Sequence, residues 1–142
     1  MKVLFLDVDG VLNSDTTVEQ WEGYMYVDKK KIARLQSILK KTGAEIVLSS
    51  TWRTRATMQE GLRQAGLRWC SQTPNLEGYD SRGAEVALWL TEHPEVERYV
   101  ILDDIGNGFM DDQRPYFVQT DPAVGLTEKD AKRVISLLGK KE

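Results

Sequence analysis

Val3-Leu4-Phe5-Leu6-Asp7-Val8-Asp9-Gly10 is an apolar run that breaks abruptly into two acids and a glycine. Its apolar part shows no polar alternation, which predicts a strand buried on both faces, as in a parallel sheet. Two further stretches are built the same way. Glu45-Ile46-Val47-Leu48 runs into Ser49-Ser50-Thr51-Trp52, and Tyr99-Val100-Ile101-Leu102 runs into Asp103-Asp104. Tyr116-Phe117-Val118-Gln119 reads as a fourth strand. Helices fall between them. Asp28 is placed to cap a helix reaching about Lys41, with Ile32, Leu35 and Leu39 on one face and Gly43 as its stop. A second helix is expected from about Thr54 to Ala65, closed by Gly66. A third runs from Arg82 to about Glu92, with Val86, Trp89 and Leu90 at helical spacing. Thr127 and Asp130 mark the start of a fourth, which carries Ala131, Val134, Ile135 and Leu138 in one stripe. Ser71–Ser81 and Ile105–Pro115 have loop composition. Strand and helix alternate, so the fold class is α/β: three layers, a parallel sheet with helices on both faces.

The chain has 142 residues, which suits a single domain spanning 1–142. With 19 Lys and Arg against 22 Asp and Glu, the net charge of −3 argues against a protein that coats DNA generically. A local basic groove stays compatible with it. Cys70 is the only cysteine, which excludes an internal disulfide and cysteine-based zinc clusters. It reads as a partly buried small hydrophobe. The apolar run after Met1 is too short for a signal peptide or a membrane span, so a cytoplasmic chain with no membrane partner is expected.

In an open parallel sheet, ligands bind outside the carboxyl ends of the strands. Asp7 with Asp9, Ser49 with Ser50, and Asp103 with Asp104 all stand at such ends. Two carboxylates about 4 Å apart repel by roughly 4 kcal/mol at an effective dielectric of 20, so a trio needs a cation or protons. Hard oxygen donors without His or Cys nearby point to Mg²⁺. Asp7 is placed as a nucleophile, and Asp9 is close enough to move protons. Ser49 is placed to bond a phosphoryl oxygen, and Arg82 to neutralise another. Asp103 and Asp104 would hold or orient the metal. That inventory suits phosphoryl transfer through an aspartyl-phosphate.

Asp7-Val8-Asp9-Gly10-Val11-Leu12-Asn13 resembles the first motif of the haloacid-dehalogenase-like (HAD) superfamily. Ser49 is similar to its second motif, Arg82 stands where the third has a basic residue, more often Lys, and Asp103-Asp104 resembles the double-acid fourth. The resemblance spans about residues 3–120. Leu48-Ser49-Ser50-Thr51-Trp52-Arg53 also resembles a subgroup found as the HAD domain of multi-domain RNA-repair proteins.

The resemblance implies a Rossmann-like sheet, bound Mg²⁺ and phosphomonoester hydrolysis. It implies Asp7 as nucleophile and metal ligand, and Asp9 as general acid and then base, its backbone carbonyl touching the metal. It implies Ser49, or its neighbour Ser50, as phosphate binder, and Arg82 as the partner of the phosphoaspartate. Asp103 would bind the metal directly and Asp104 directly or through water. HAD-like phosphatases often carry a cap, but neither segment 14–27 nor 54–80 has room for one, so the cap is expected to be minimal or missing. The open site would admit a phosphorylated small molecule or a nucleic-acid end. Trp21, Tyr24, Tyr26, Trp52, Arg53 and Arg55 are candidates to line it.

Two other readings compete: a catalytically idle phosphate-binding domain, and a phospho-accepting module of the receiver type. A receiver expects its acidic pair after the first strand and its phosphorylated Asp after the third. Here an Asp-x-Asp follows the first and the double acid comes late, which favours the hydrolase. His93 reads as a helix-end partner, Asp111-Asp112 as a loop feature, and Lys29-Lys30-Lys31 as a solvated helix start.

Overall fold

A computed structural model describes residues 1–15, 27–50, 55–76 and 81–141. In chain order these form β1 (Lys2–Leu6), α1 (Lys29–Thr42), β2 (Glu45–Leu48), α2 (Ala56–Gln64) and β3 (Ser71–Gln72). Then come α3 (Arg82–Thr91), β4 (Arg98–Asp103), a 3₁₀ turn over Asp111–Tyr116, β5 (Phe117–Gln119) and α4 (Glu128–Leu138). The five strands make one parallel sheet in the order β3-β2-β1-β4-β5, the three-layer Rossmann-like arrangement that the strand–helix alternation predicts.

Alternation along the strands divides the core in two. Leu4, Leu6, Ile46, Leu48, Val100 and Leu102 pack with α1 and α4 through Ile32, Leu35, Ile38, Val134 and Leu138. Val3, Phe5, Val47 and Ile101 point the other way and pack against Val86 and Trp89 of α3. Phe5 meets the Trp89 ring edge to face at 5.5 Å, a favourable aromatic geometry. β1, buried on both sides, lies at the centre of the sheet, and this is why its sequence is an unbroken apolar run.

Local chemistry sets the helix ends. The Asp28 carboxylate accepts the Lys30 backbone N–H at 2.9 Å, and Gly43 ends α1 in the left-handed region at φ 71°. At α4 the Thr127 hydroxyl accepts the Asp130 N–H while Asp130 accepts the Thr127 N–H, each at 3.1 Å. A capping box therefore closes with Asp in the place usually held by Glu or Gln.

Several expectations need correction. Ser71–Gln72, read as loop, is a short parallel edge strand paired with Val47–Leu48. The 105–115 segment contains the 3₁₀ turn, which takes Tyr116 out of β5. Cys70 is exposed, because it stands just ahead of this short edge strand, held by its backbone N–H to Ile46. Lys29 and Lys30 are exposed as expected, but Lys31 is only 6% exposed. Its ammonium lies 2.6 Å from the Asp28 carboxylate, which gives the buried charge a partner. His93 is half-buried: its ring stacks on Trp89, and its Nδ1 lies 2.7 Å from the Trp89 carbonyl near the end of α3.

Candidate active site

The ladder continues one residue past the strand ends. The Asp7 N–H donates to Leu102, the Ser49 N–H to Leu6 and the Thr73 N–H to Leu48, each at 3.0 Å. The registers Leu6–Leu102, Leu6–Leu48 and Leu48–Gln72 therefore carry over to the next residues. Asp103, Asp7, Ser49 and Thr73 form a row across the carboxyl edge of the sheet. Alternation puts this row on the α3 face, two residues beyond Ile101, Phe5, Val47 and Ser71.

α3 answers the row with a cation. Arg82, the first residue of that helix, places Nη1 2.6 Å from Asp103 Oδ2 and 3.2 Å from Asp7 Oδ1. Asp103 also accepts the Ile105 N–H at 3.0 Å. Asp7, Asp103 and Asp104 each bring a carboxylate oxygen within 4.8 Å of the others. One guanidinium among three carboxylates leaves excess negative charge. Burial, and after it the charge of Asp103, hold the Asp7 carboxyl well above its ordinary range, and Arg82 offsets this only in part. Burial likewise pushes Asp103 up to about 6, against the pull of Arg82. Burial alone would lower Arg82, but Asp103 and Asp7 outweigh it and raise it. Hard oxygen donors with uncancelled charge, and no His or Cys in the cluster, fit a divalent cation such as Mg²⁺.

Asp9 stands outside this cluster. It is exposed, and its Oδ1 accepts from Asn13 Nδ2 at 3.1 Å. Asn13 also accepts the Gly10 N–H at 2.8 Å, which fixes the turn that carries Asp9. Gly10 has φ +80°, and a side chain there would run into the Asp104 carboxylate. The Thr120 hydroxyl, one residue past β5, donates to the Gly10 carbonyl at 2.7 Å. Ser49 and Ser50 are both fully buried, and Ser49 is the one in the row beside Asp7.

The structure therefore brings Asp7, Asp103, Asp104, Arg82 and Ser49 together at one edge. Asp111 and Asp112 are exposed in the 3₁₀ turn and take no part in the acidic cluster. Trp21, Tyr24, Tyr26, Trp52 and Arg53 lie outside the described residues, and Arg55 is exposed just ahead of α2. Asn13 and Thr120 as supports of the Asp9 turn were missed, although Thr120 obeys the same rule of a polar residue just past an apolar strand.

A model of the family described as the HAD domain in Swiss Army Knife RNA repair proteins matches residues 3–131. The chain belongs to this family. No curated protein and no solved structure matches it. Membership of this HAD family supports a HAD-type phosphohydrolase. No helix among the described residues of this HAD domain is long and apolar enough to cross a membrane.

The ion pair is testable by itself. Removing one partner of a buried pair costs about 3–5 kcal/mol. Arg82 keeps a fifth of its side chain exposed, so Arg82→Ala is expected to lose about 2–3 kcal/mol in urea unfolding with EDTA present. An unchanged midpoint would mean that the pair carries no stability.

Proposed function

We propose that this chain is a Mg²⁺-dependent phosphomonoester hydrolase that works through an aspartyl-phosphate on Asp7. The observation that carries this reading is the Arg82 guanidinium bridging Asp7 and Asp103, with Asp104 in the same carboxylate cluster. An Asp7 oxygen attacks the phosphorus, and the ester oxygen leaves with a proton from Asp9. A water then attacks the same phosphorus, giving its proton to Asp9, and the P–O bond to Asp7 breaks to release phosphate. Arg82 and the Ser49 hydroxyl stabilise the charge on the phosphoryl oxygens. Asp7, Asp103, Asp104 and the Asp9 carbonyl would hold the Mg²⁺, which supplies further charge neutralisation during transfer.

That the family is the HAD domain of RNA repair proteins supports a nucleic-acid terminal phosphate as the substrate. Trp52, Arg53 and Tyr24 are candidates for contacts with that strand. The test is phosphate release with Mg²⁺ from small phosphomonoesters and from oligonucleotides bearing a 3′- or 5′-phosphate. Turnover is expected to stop in EDTA and return with added Mg²⁺. Equal turnover with and without EDTA would remove the metal from the reading. Release from small esters alone would remove the nucleic-acid end.

A further inference from the structure

Thr73 is the outermost member of the edge row, one register position beyond Ser49. It is 2% exposed, and its Oγ1 has no hydrogen-bond partner among the described residues. Its backbone N–H donates to the Leu48 carbonyl at 3.0 Å, whereas the hydroxyl is unmet. A buried hydroxyl without a partner costs stability, and an isosteric valine would fill the same space at no such cost. The position is fixed from the α3 side as well. Ser71, two residues earlier on the same face, accepts from Trp89 Nε1 at 2.9 Å, and Glu85 accepts the Leu76 N–H at 2.7 Å. The chain on both sides of Thr73 is thus tied to α3, the helix that delivers Arg82.

A phosphoryl group presents three non-bridging oxygens. On the hydrolase reading, Arg82 would meet it from the Asp103 side of the row, and Ser49 from the other. We infer that the Thr73 hydroxyl is a further donor to a phosphoryl oxygen, completing the anion cradle on the β3 side. This rests on the hydrolase reading above, and it gives Thr73 a binding role rather than a part in the bond-making steps.

Inorganic phosphate with Mg²⁺ is the probe, applied to wild type, Thr73→Val, Thr73→Ala and Thr73→Ser. Loss of a hydrogen bond to a charged oxygen predicts about tenfold weaker product inhibition by phosphate for Val and Ala. KM should rise by a similar factor, with a smaller change in kcat, and Ser should restore both. Without phosphate, Thr73→Val should melt at or above the wild-type temperature, because no unmet hydroxyl remains. At one phosphate concentration, phosphate should then raise the melting temperature of wild type and Ser more than that of Val. A Val variant that is less stable or unfolded without phosphate would show the hydroxyl to have a structural or water partner, and would overturn the assignment. Wild-type turnover with unchanged phosphate inhibition in Val and Ala would overturn it too, leaving the hydrolase intact. A wild type with neither turnover nor a phosphate-dependent shift would overturn the hydrolase reading itself.

Discussion

Asp7→Asn is expected to abolish phosphate release, lowering kcat by at least about 10⁴-fold, the scale on which removing a nucleophile acts. An amide oxygen is a poor nucleophile, and no aspartyl ester can form through it. The substitution keeps shape and can still accept from Arg82, which lies 3.2 Å from Asp7 Oδ1. The fold should therefore survive, and the direction of the stability change can be worked out. Burial and the charge of Asp103 hold the Asp7 carboxyl well above its ordinary range. A carboxyl raised in the folded state favours folding while protonated, and that contribution fades as pH rises from the ordinary carboxylate range toward the raised value. The neutral amide has no such loss. With EDTA at pH 7, Asp7→Asn should melt at or above the wild-type temperature, with a flatter dependence on pH. Phosphate release and thermal unfolding on one preparation check both parts. Full turnover by the variant would take the nucleophile role from Asp7.

Asp9→Asn should lower kcat by about 10²–10⁴-fold, the range for a positioned general acid and base. Asp9 is exposed beside the acidic cluster and held by Asn13, so its loss should disturb proton transfer more than the fold. The defect should depend on the leaving group. An alkyl phosphate, whose departing oxygen needs a proton, should suffer most. A nitrophenyl phosphate, whose leaving group departs as a stable anion, should lose less in the first step. An equal defect on both substrates would point to a positional role.

Much of this was legible in the chain because the central strands are buried on both faces. Val3–Leu6, Ile46–Leu48 and Val100–Leu102 are buried in the two apolar clusters, and so they read as strands. Their abrupt polar ends marked Asp7, Ser49 and Asp103 for the same reason. β3 was hidden because it is two residues long, polar and at the edge, so no periodicity can build up in it. Losing β3 also hid Thr73, which is meaningful only once its register beside Ser49 is known. Lys31 was misread because its burial depends on Asp28 and on the distant turn around Gly125, whose α-carbon faces the lysine stem. Arg82 was visible as a helix start, but its choice of Asp7 and Asp103 as partners is a product of tertiary packing alone.

The Thr120 hydroxyl reaches back across the whole topology to the carbonyl of Gly10. Every carboxylate of the cluster is already synthesised when the ribosome has passed Asp104, yet the turn that aims Asp9 lacks this tether until β5 has been made and has docked on β4. Such a non-local contact closes late in assembly, after the loop entropy between its ends has been overcome. On the hydrolase reading proposed above, the setting of Asp9 would then depend on completion of the sheet, and a chain ending before Thr120 would keep the acidic cluster but lack this tether.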